Sequence, residues 1–194
     1  MKAYVVLFLA FLASCGGVKK YDALVEANAV CDQKWADIET ELQRRYDLIP
    51  NLVATVKASA AHEEKVLEEV TTARASASQI KLNADDLSDP AKMAQFTEAQ
   101  SSLSGALGRL LVTQEAYPDL KANAQFHDLT VELEGTENRI ARSRQEYNDA
   151  VKTYNAELAK VGGQVINKIT GHPFKPRVYW SASAAAHEAP KVSF

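Results

Sequence analysis

Apolar positions recur along this chain in alternating steps of three and four. Starting at Tyr21, the stepping passes through Leu24, Asn28, Cys31, Trp35, Ile38, Leu42, Arg45 and Ile49. It continues in phase through Leu52, Val56, Ser59, Glu63, Val66, Val70, Ala73, Ala77 and Ile80. Such a seam belongs to helices packed nearly parallel or antiparallel. Two further seams follow. One runs Met93, Phe96, Gln100, Leu103, Leu107, Leu110, Gln114, Tyr117. The other runs from Phe126, Leu129 and Leu133 through Thr136, Ile140, Ser143, Tyr147, Val151, Tyr154, Leu158 and Val161. No two-residue alternation of the strand type interrupts them.

Punctuation sets the boundaries. Asp89 is placed to cap a helix whose first residue is Pro90, and Tyr117-Pro118-Asp119 reads as a turn. Pro50 is harder to place. Proline removes a donor from a helix, clashes with the preceding turn and biases Ile49 out of helix. The seam keeps its phase across Pro50, so a kinked continuous rod is one possibility. A rod from 20 to 80 would be about 90 Å long at about 1.5 Å per residue, and its first half would be left unpacked. A break at Asp47 to Pro50 gives helices of similar length instead. The expectation is therefore an all-α, up-and-down four-helix bundle, with helices at about 20–48, 51–80, 90–117 and 120–161. Gly162-Gly163 is read as its end, and the tail 163–194 as irregular.

The first residues differ in kind. Met1-Lys2 precedes an apolar run from Ala3 to Ala13. The run is too short for a bilayer-spanning helix, which needs about 20 residues, but it suits a signal peptide. It ends in Leu12-Ala13-Ser14-Cys15-Gly16, which resembles the bacterial lipobox: a branched apolar residue, two small residues and a cysteine. The resemblance implies a lipid on the Cys15 sulfur and removal of residues 1–14, leaving 15–19 as a short anchored linker and 20–162 as the bundle. Stable anchoring takes more than one acyl chain, as bacterial lipoproteins have. The expected place is the cell envelope outside the cytoplasm. Gly16 in place of an inner-membrane-retaining Asp points to the outer membrane facing the periplasm, if the cell is Gram-negative.

Composition narrows the function. The formal net charge of −3 becomes −4 without Lys2, so no basic excess argues for nucleic acid. With Cys15 acylated, Cys31 is the remaining thiol. It lies on the seam and reads as a small buried hydrophobe. None of His62, His127, His172 and His187 follows a Glu by three residues, as a di-iron bundle requires. There is no phosphate loop and no nucleophile elbow. No catalysis, metal or cofactor is expected beyond the covalent lipid.

Polar residues on or beside the seams are the remaining chemistry. Arg45, Glu63, Arg74, Glu137 and Arg144, with Asn28, Thr136 and Ser143 nearby, form a candidate layer. A buried polar layer can fix helix register; the alternative is a polar-ligand pocket between helices. An unpaired buried Arg45 would be costly, so a carboxylate is expected within its reach, Glu63 first. In the tail, the aromatics and cations between Val165 and Trp180 either cap the bundle or lie at the headgroups. The end Val192-Ser193-Phe194 has the form of a strand-adding C-terminus.

Arg45-Tyr46-Asp47-Leu48-Ile49-Pro50-Asn51-Leu52-Val53, then His62-Glu63 and Ala73-Arg74-Ala75, resemble the LemA family. So do Tyr117-Pro118-Asp119-Leu120-Lys121, Glu137-Asn138-Arg139-Ile140, Arg144, Tyr147-Asn148, Tyr154-Asn155 and the closing Ala189 to Phe194. The resemblance implies an N-terminally tethered helical bundle outside the cytoplasm, with no established enzymatic activity. Family members usually begin with a membrane-spanning helix; here a lipobox stands in its place. The expected role is a non-catalytic scaffold or adaptor for other envelope proteins. The alternatives are a polar-ligand sensor using the inter-helix layer and a regulatory subunit of a membrane protease.

Overall fold

The computed structural model describes residues 2–58, 64–113, 117–169 and 174–181, and for 2–16, 113 and 169 the backbone alone. Among the described residues six α-helices occur: α1 Lys2–Ala58, α2 Glu64–Gln79, α3 Pro90–Thr113, α4 Pro118–Lys121, α5 Ala124–Ala159 and α6 Val161–Ile169. A 3-10 turn, Asp86–Ser88, joins α2 to α3. The all-α bundle is as the seams predicted. The seam residues of α1 from Leu24 to Val56, other than half-buried Asn28, are buried.

The expected break at Pro50 is corrected. α1 is helical on both sides of Pro50, which lies exposed inside it. The helix holds 57 residues. At about 1.5 Å per residue it is roughly 85 Å long. From Lys20 upwards this rod is not left bare, because α5 lies antiparallel along it. The ion pairs Lys20–Glu157, Lys34–Glu146 at 2.7 Å, Glu41–Arg139 at 2.8 Å and Arg44–Glu132 at 2.7 Å climb α1 as they descend α5. α2 and α3 form an antiparallel pair against the upper part of α1, so four helices pack there and two below.

Caps explain several boundaries. The Asp89 carboxylate accepts from the backbone N–H of Ala91 at 2.8 Å and from that of Lys92 at 3.3 Å. It thereby satisfies donors that the first turn of α3 leaves free. Asn123 accepts from Phe126 N–H at 3.1 Å and starts α5, so the fourth helix begins after a short separate turn, α4. Gly162-Gly163 does not end the helical region; both lie within α6. α5 stops where Lys160 turns extended (ψ 151°). α6 then follows α5 so closely that a Cβ on Gly163 would sit 2.5 Å from the Glu157 carbonyl oxygen. The glycine is needed there for close approach.

The tail is also more ordered than expected. Phe174–Ser181 runs extended along the groove between lower α1 and lower α5, where the upper bundle has α2 and α3. Its Val178 N–H donates to Leu87 C=O at 2.8 Å, joining it to the α2–α3 turn. Trp180 closes an aromatic cluster with Phe96 (centroids 5.2 Å) and Trp35 (6.2 Å), and Trp35 also meets Tyr147 at 5.3 Å. Phe174 meets Tyr21 at 5.8 Å. Phe174, Arg177 and Trp180 thus cap the bundle. The C-terminal Val192-Ser193-Phe194 lies outside the described residues.

Candidate functional site: a polar layer through four helices

Arg45 is among the largest fully buried side chains of the described residues, 1% exposed. Its guanidinium donates to Glu137 of α5 at 3.0 and 3.3 Å and to Ser104 of α3 at 3.1 Å, and it also hydrogen-bonds Gln100 Oε1. Gln100 donates in turn to the Tyr46 hydroxyl at 2.7 Å, which donates to the Ala77 carbonyl of α2 at 3.2 Å. One connected network therefore joins all four long helices at a single level. Burying these groups without partners would cost about 1–3 kcal/mol each; linked together they fix the register of each helix against the others.

Arg74 enters the layer from α2. Its Nε donates to the Tyr46 carbonyl at 2.7 Å. In a regular helix that carbonyl accepts from the N–H four residues on, and here that residue is Pro50, which has none. Arg74 supplies the missing donor, which is why α1 can run through a proline.

The sequence expected a carboxylate beside Arg45, and Glu137 is that carboxylate. Glu63, the first candidate, lies outside the described residues. Arg144 does not join the network; its guanidinium stacks over the Trp180 ring at 5.8 Å. Sequence reasoning missed Gln100, whose seam position marked it, and Ser104. A cleft of about 600 Å³ opens beside this layer, between α3 and α5, lined by Arg45, Gln100, Ser104, Glu137, Arg144 and Trp180 among others. The Arg45 Nε is buried without a hydrogen-bond partner among the described residues.

Two other expectations can be placed. Cys31 is fully buried, and burial pushes its thiol up to about 11, with Arg177 opposing the shift. Among the described residues, no group of three or more His, Cys, Asp or Glu side chains is placed to hold a metal ion, and no helix is long and apolar enough to cross a membrane.

The LemA family model matches residues 34–194, from Lys34 of α1 onwards. The chain belongs to the LemA family. It is also 27% identical over 197 residues to the magnetosome proteins MamQ 1 and MamQ 2 of Paramagnetospirillum magneticum, covering 93% of this chain and 71% of theirs. To MamQ of Magnetospirillum gryphiswaldense it is 26% identical over 205 residues, 97% of this chain and 74% of that protein. LemA membership and these likenesses support a membrane-associated envelope protein. The polar layer is built from two stretches that carry the LemA resemblance, Arg45-Tyr46 through Pro50 and Ala73-Arg74-Ala75, closed by Glu137.

Proposed function

We propose that this LemA protein is a non-catalytic envelope lipoprotein, anchored through Cys15, that serves as an adaptor for other envelope proteins. The observation that carries the reading is the polar layer. Arg45, Gln100, Tyr46, Arg74 and Glu137 hydrogen-bond mainly to one another, to Ser104 and to backbone, as a register-fixing device does, although the layer is open to water at Glu137 and leaves the Arg45 Nε without a partner among the described residues. The anchor is consistent with it. α1 is helical through position 15, and the packed bundle begins at once, with Gly17 beside Ile166 and Lys20 paired to Glu157. In a Gram-negative cell, Gly16 after the cysteine favours the outer membrane.

Crosslinking in the native envelope, followed by identification of the captured proteins, tests both parts. A defined set of envelope proteins is expected from the wild type, and loss of that set together with release of the chain from the membrane is expected for Cys15→Ala. No reproducible capture by the wild type removes the adaptor role. A Cys15→Ala chain still in the membrane fraction removes the lipid anchor.

A second reading, a sensor of a small polar ligand, is favoured by the cleft over Arg45, Glu137 and Arg144. Small organic acids that raise the melting temperature of the wild type but not of Arg144→Ala would support it.

A further inference from the structure

The segment Phe174–Ser181 lies in the α1–α5 groove as a ligand lies in a peptide site. α5 presents the same pair of side chains twice, seven residues apart: Tyr147-Asn148 and Tyr154-Asn155. The tyrosines donate to the carbonyls of Val178 (3.1 Å) and Lys175 (3.0 Å). Each asparagine takes both backbone groups of one residue. Asn148 donates to Trp180 C=O at 3.1 Å and accepts from its N–H at 2.9 Å. Asn155 does the same for Arg177, both at 2.9 Å, and Asn167 of α6 for Phe174. The backbone residues so read are three apart.

The two spacings agree for a physical reason. Seven helical residues advance about 10.5 Å, and three extended residues about 9–10 Å. One heptad of α5 keeps pace with one triplet of the segment. Contacts of this kind use groups that every residue carries, so they set direction and register, and side-chain pockets set selectivity. Two buried side chains fill those pockets. Arg177, 5% exposed, donates to Asn28 at 3.0 Å and Asp32 at 2.7 Å, and Trp180 sits among Trp35 and Phe96. Lys175, Pro176 and Tyr179 face solvent. The resident segment does not satisfy the groove fully: the Trp35 indole nitrogen and one Arg177 nitrogen are buried without hydrogen-bond partners among the described residues.

We infer that the α1–α5 groove is a binding site for an extended segment of another envelope protein, one with an arginine three residues before a tryptophan, and that Phe174–Ser181 holds it in a self-occupied form. The inference rests on the adaptor reading and names what the adaptor grips. A tethered segment competes at millimolar effective concentration. An incoming segment gains on it by offering an acceptor to the Trp35 N–H, or by being held close on the same membrane.

The test uses the full chain and a fluorescent peptide of the resident sequence, Pro173 to Ser181, read by anisotropy. The wild type is expected to bind it weakly. Arg177→Ala with Trp180→Ala in the chain weakens the resident segment and should tighten peptide binding by roughly tenfold or more. Adding Asn148→Ala and Asn155→Ala should abolish it. A peptide with its arginine and tryptophan exchanged should not bind, whereas one with alanine in place of Lys175 and Tyr179 should bind as before. A folded Arg177→Ala/Trp180→Ala chain that ignores the peptide, or takes the exchanged peptide equally, overturns the inference.

If that variant loses its helical circular dichroism, a protease site inserted between Ile169 and Phe174 replaces it. The cut segment should stay bound and exchange with the peptide; a segment that leaves a groove unable to take the peptide overturns the inference. Dimers crosslinked from one copy's segment to another's groove would make the occupant a second copy, and the assignment to another protein wrong. If an Asn148→Ala/Asn155→Ala chain captures the same envelope proteins as the wild type, the groove inference fails and the adaptor role survives. If the wild type captures none, the adaptor role itself fails.

Discussion

The Arg74 guanidinium donates to the carbonyl of Tyr46, the backbone acceptor that Pro50 leaves without its helical donor. Arg74→Ala should therefore cost about 1–3 kcal/mol, the range for a stranded buried acceptor. In a Pro50→Ala background the N–H of residue 50 returns to that carbonyl, and the same substitution should cost markedly less. A double-mutant cycle by urea denaturation checks this. Additive effects would show that Arg74 does not stand in for the missing donor.

The Arg45–Glu137 pair predicts an asymmetry. Glu137 reaches water, whereas Arg45 does not. Glu137→Ala strands a buried guanidinium and should destabilise by about 2–4 kcal/mol, towards the low side for buried pairs because one partner is partly solvated. Arg45→Met removes the charge with the need for it, and should cost less than Glu137→Ala. Urea denaturation of the two variants compares them, and equal or reversed losses would contradict the layer as drawn.

Cys31 reports on the groove. Its thiol is buried and raised to about 11. In mildly alkaline buffer it is therefore almost wholly protonated and shielded, and the thiolate is the reactive form. Alkylation in a Cys15→Ser chain should be slow. Trp180→Ala, which loosens the segment but keeps the Arg177 charge that opposes the thiol's upward shift, should speed it clearly; a rate unchanged from the parent would mean that the segment does not guard the thiol.

Glu157 sets a pH window at the lower end of the bundle. Hydrogen bonds from Lys160 and then Lys20 hold its carboxyl down to about 2, against 4.5 in the unfolded chain. A depressed carboxylate stabilises the fold above its unfolded value and loses that contribution as pH falls towards the folded one. Stability should decline between about pH 4.5 and 2, and Glu157→Gln should flatten that decline. Thermal melts across the window measure it.

Much of this was legible in residue order. The seam from Leu24 to Val56 named the buried face of α1, and Asp89-Pro90 named the start of α3, because period and capping are local rules. Pro50 misled because helix continuity there depends on a side chain from another helix, which no local rule contains. Gly162-Gly163 read as a terminator, whereas Gly163 is required by the approach of α6 to the Glu157 carbonyl. Arg45 announced its need for a carboxylate without naming Glu137, since either depended on which helices became neighbours. The resting place of Phe174–Ser181 left one trace, the Tyr-Asn pair repeated after seven residues. Its meaning needed the extended segment beside it.

The unbroken course of α1 has a mechanical consequence. A loose tether lets a lipoprotein meet its targets at any height and in any orientation. A chain held at Cys15 by a continuous helix is a ruler instead. With a rise of about 1.5 Å per residue, Arg45 lies about 45 Å along it from Cys15, the proposed point of attachment. By the same measure Ala58 lies about 65 Å along it. Targets would be sorted by how far they stand from the membrane as much as by what they are.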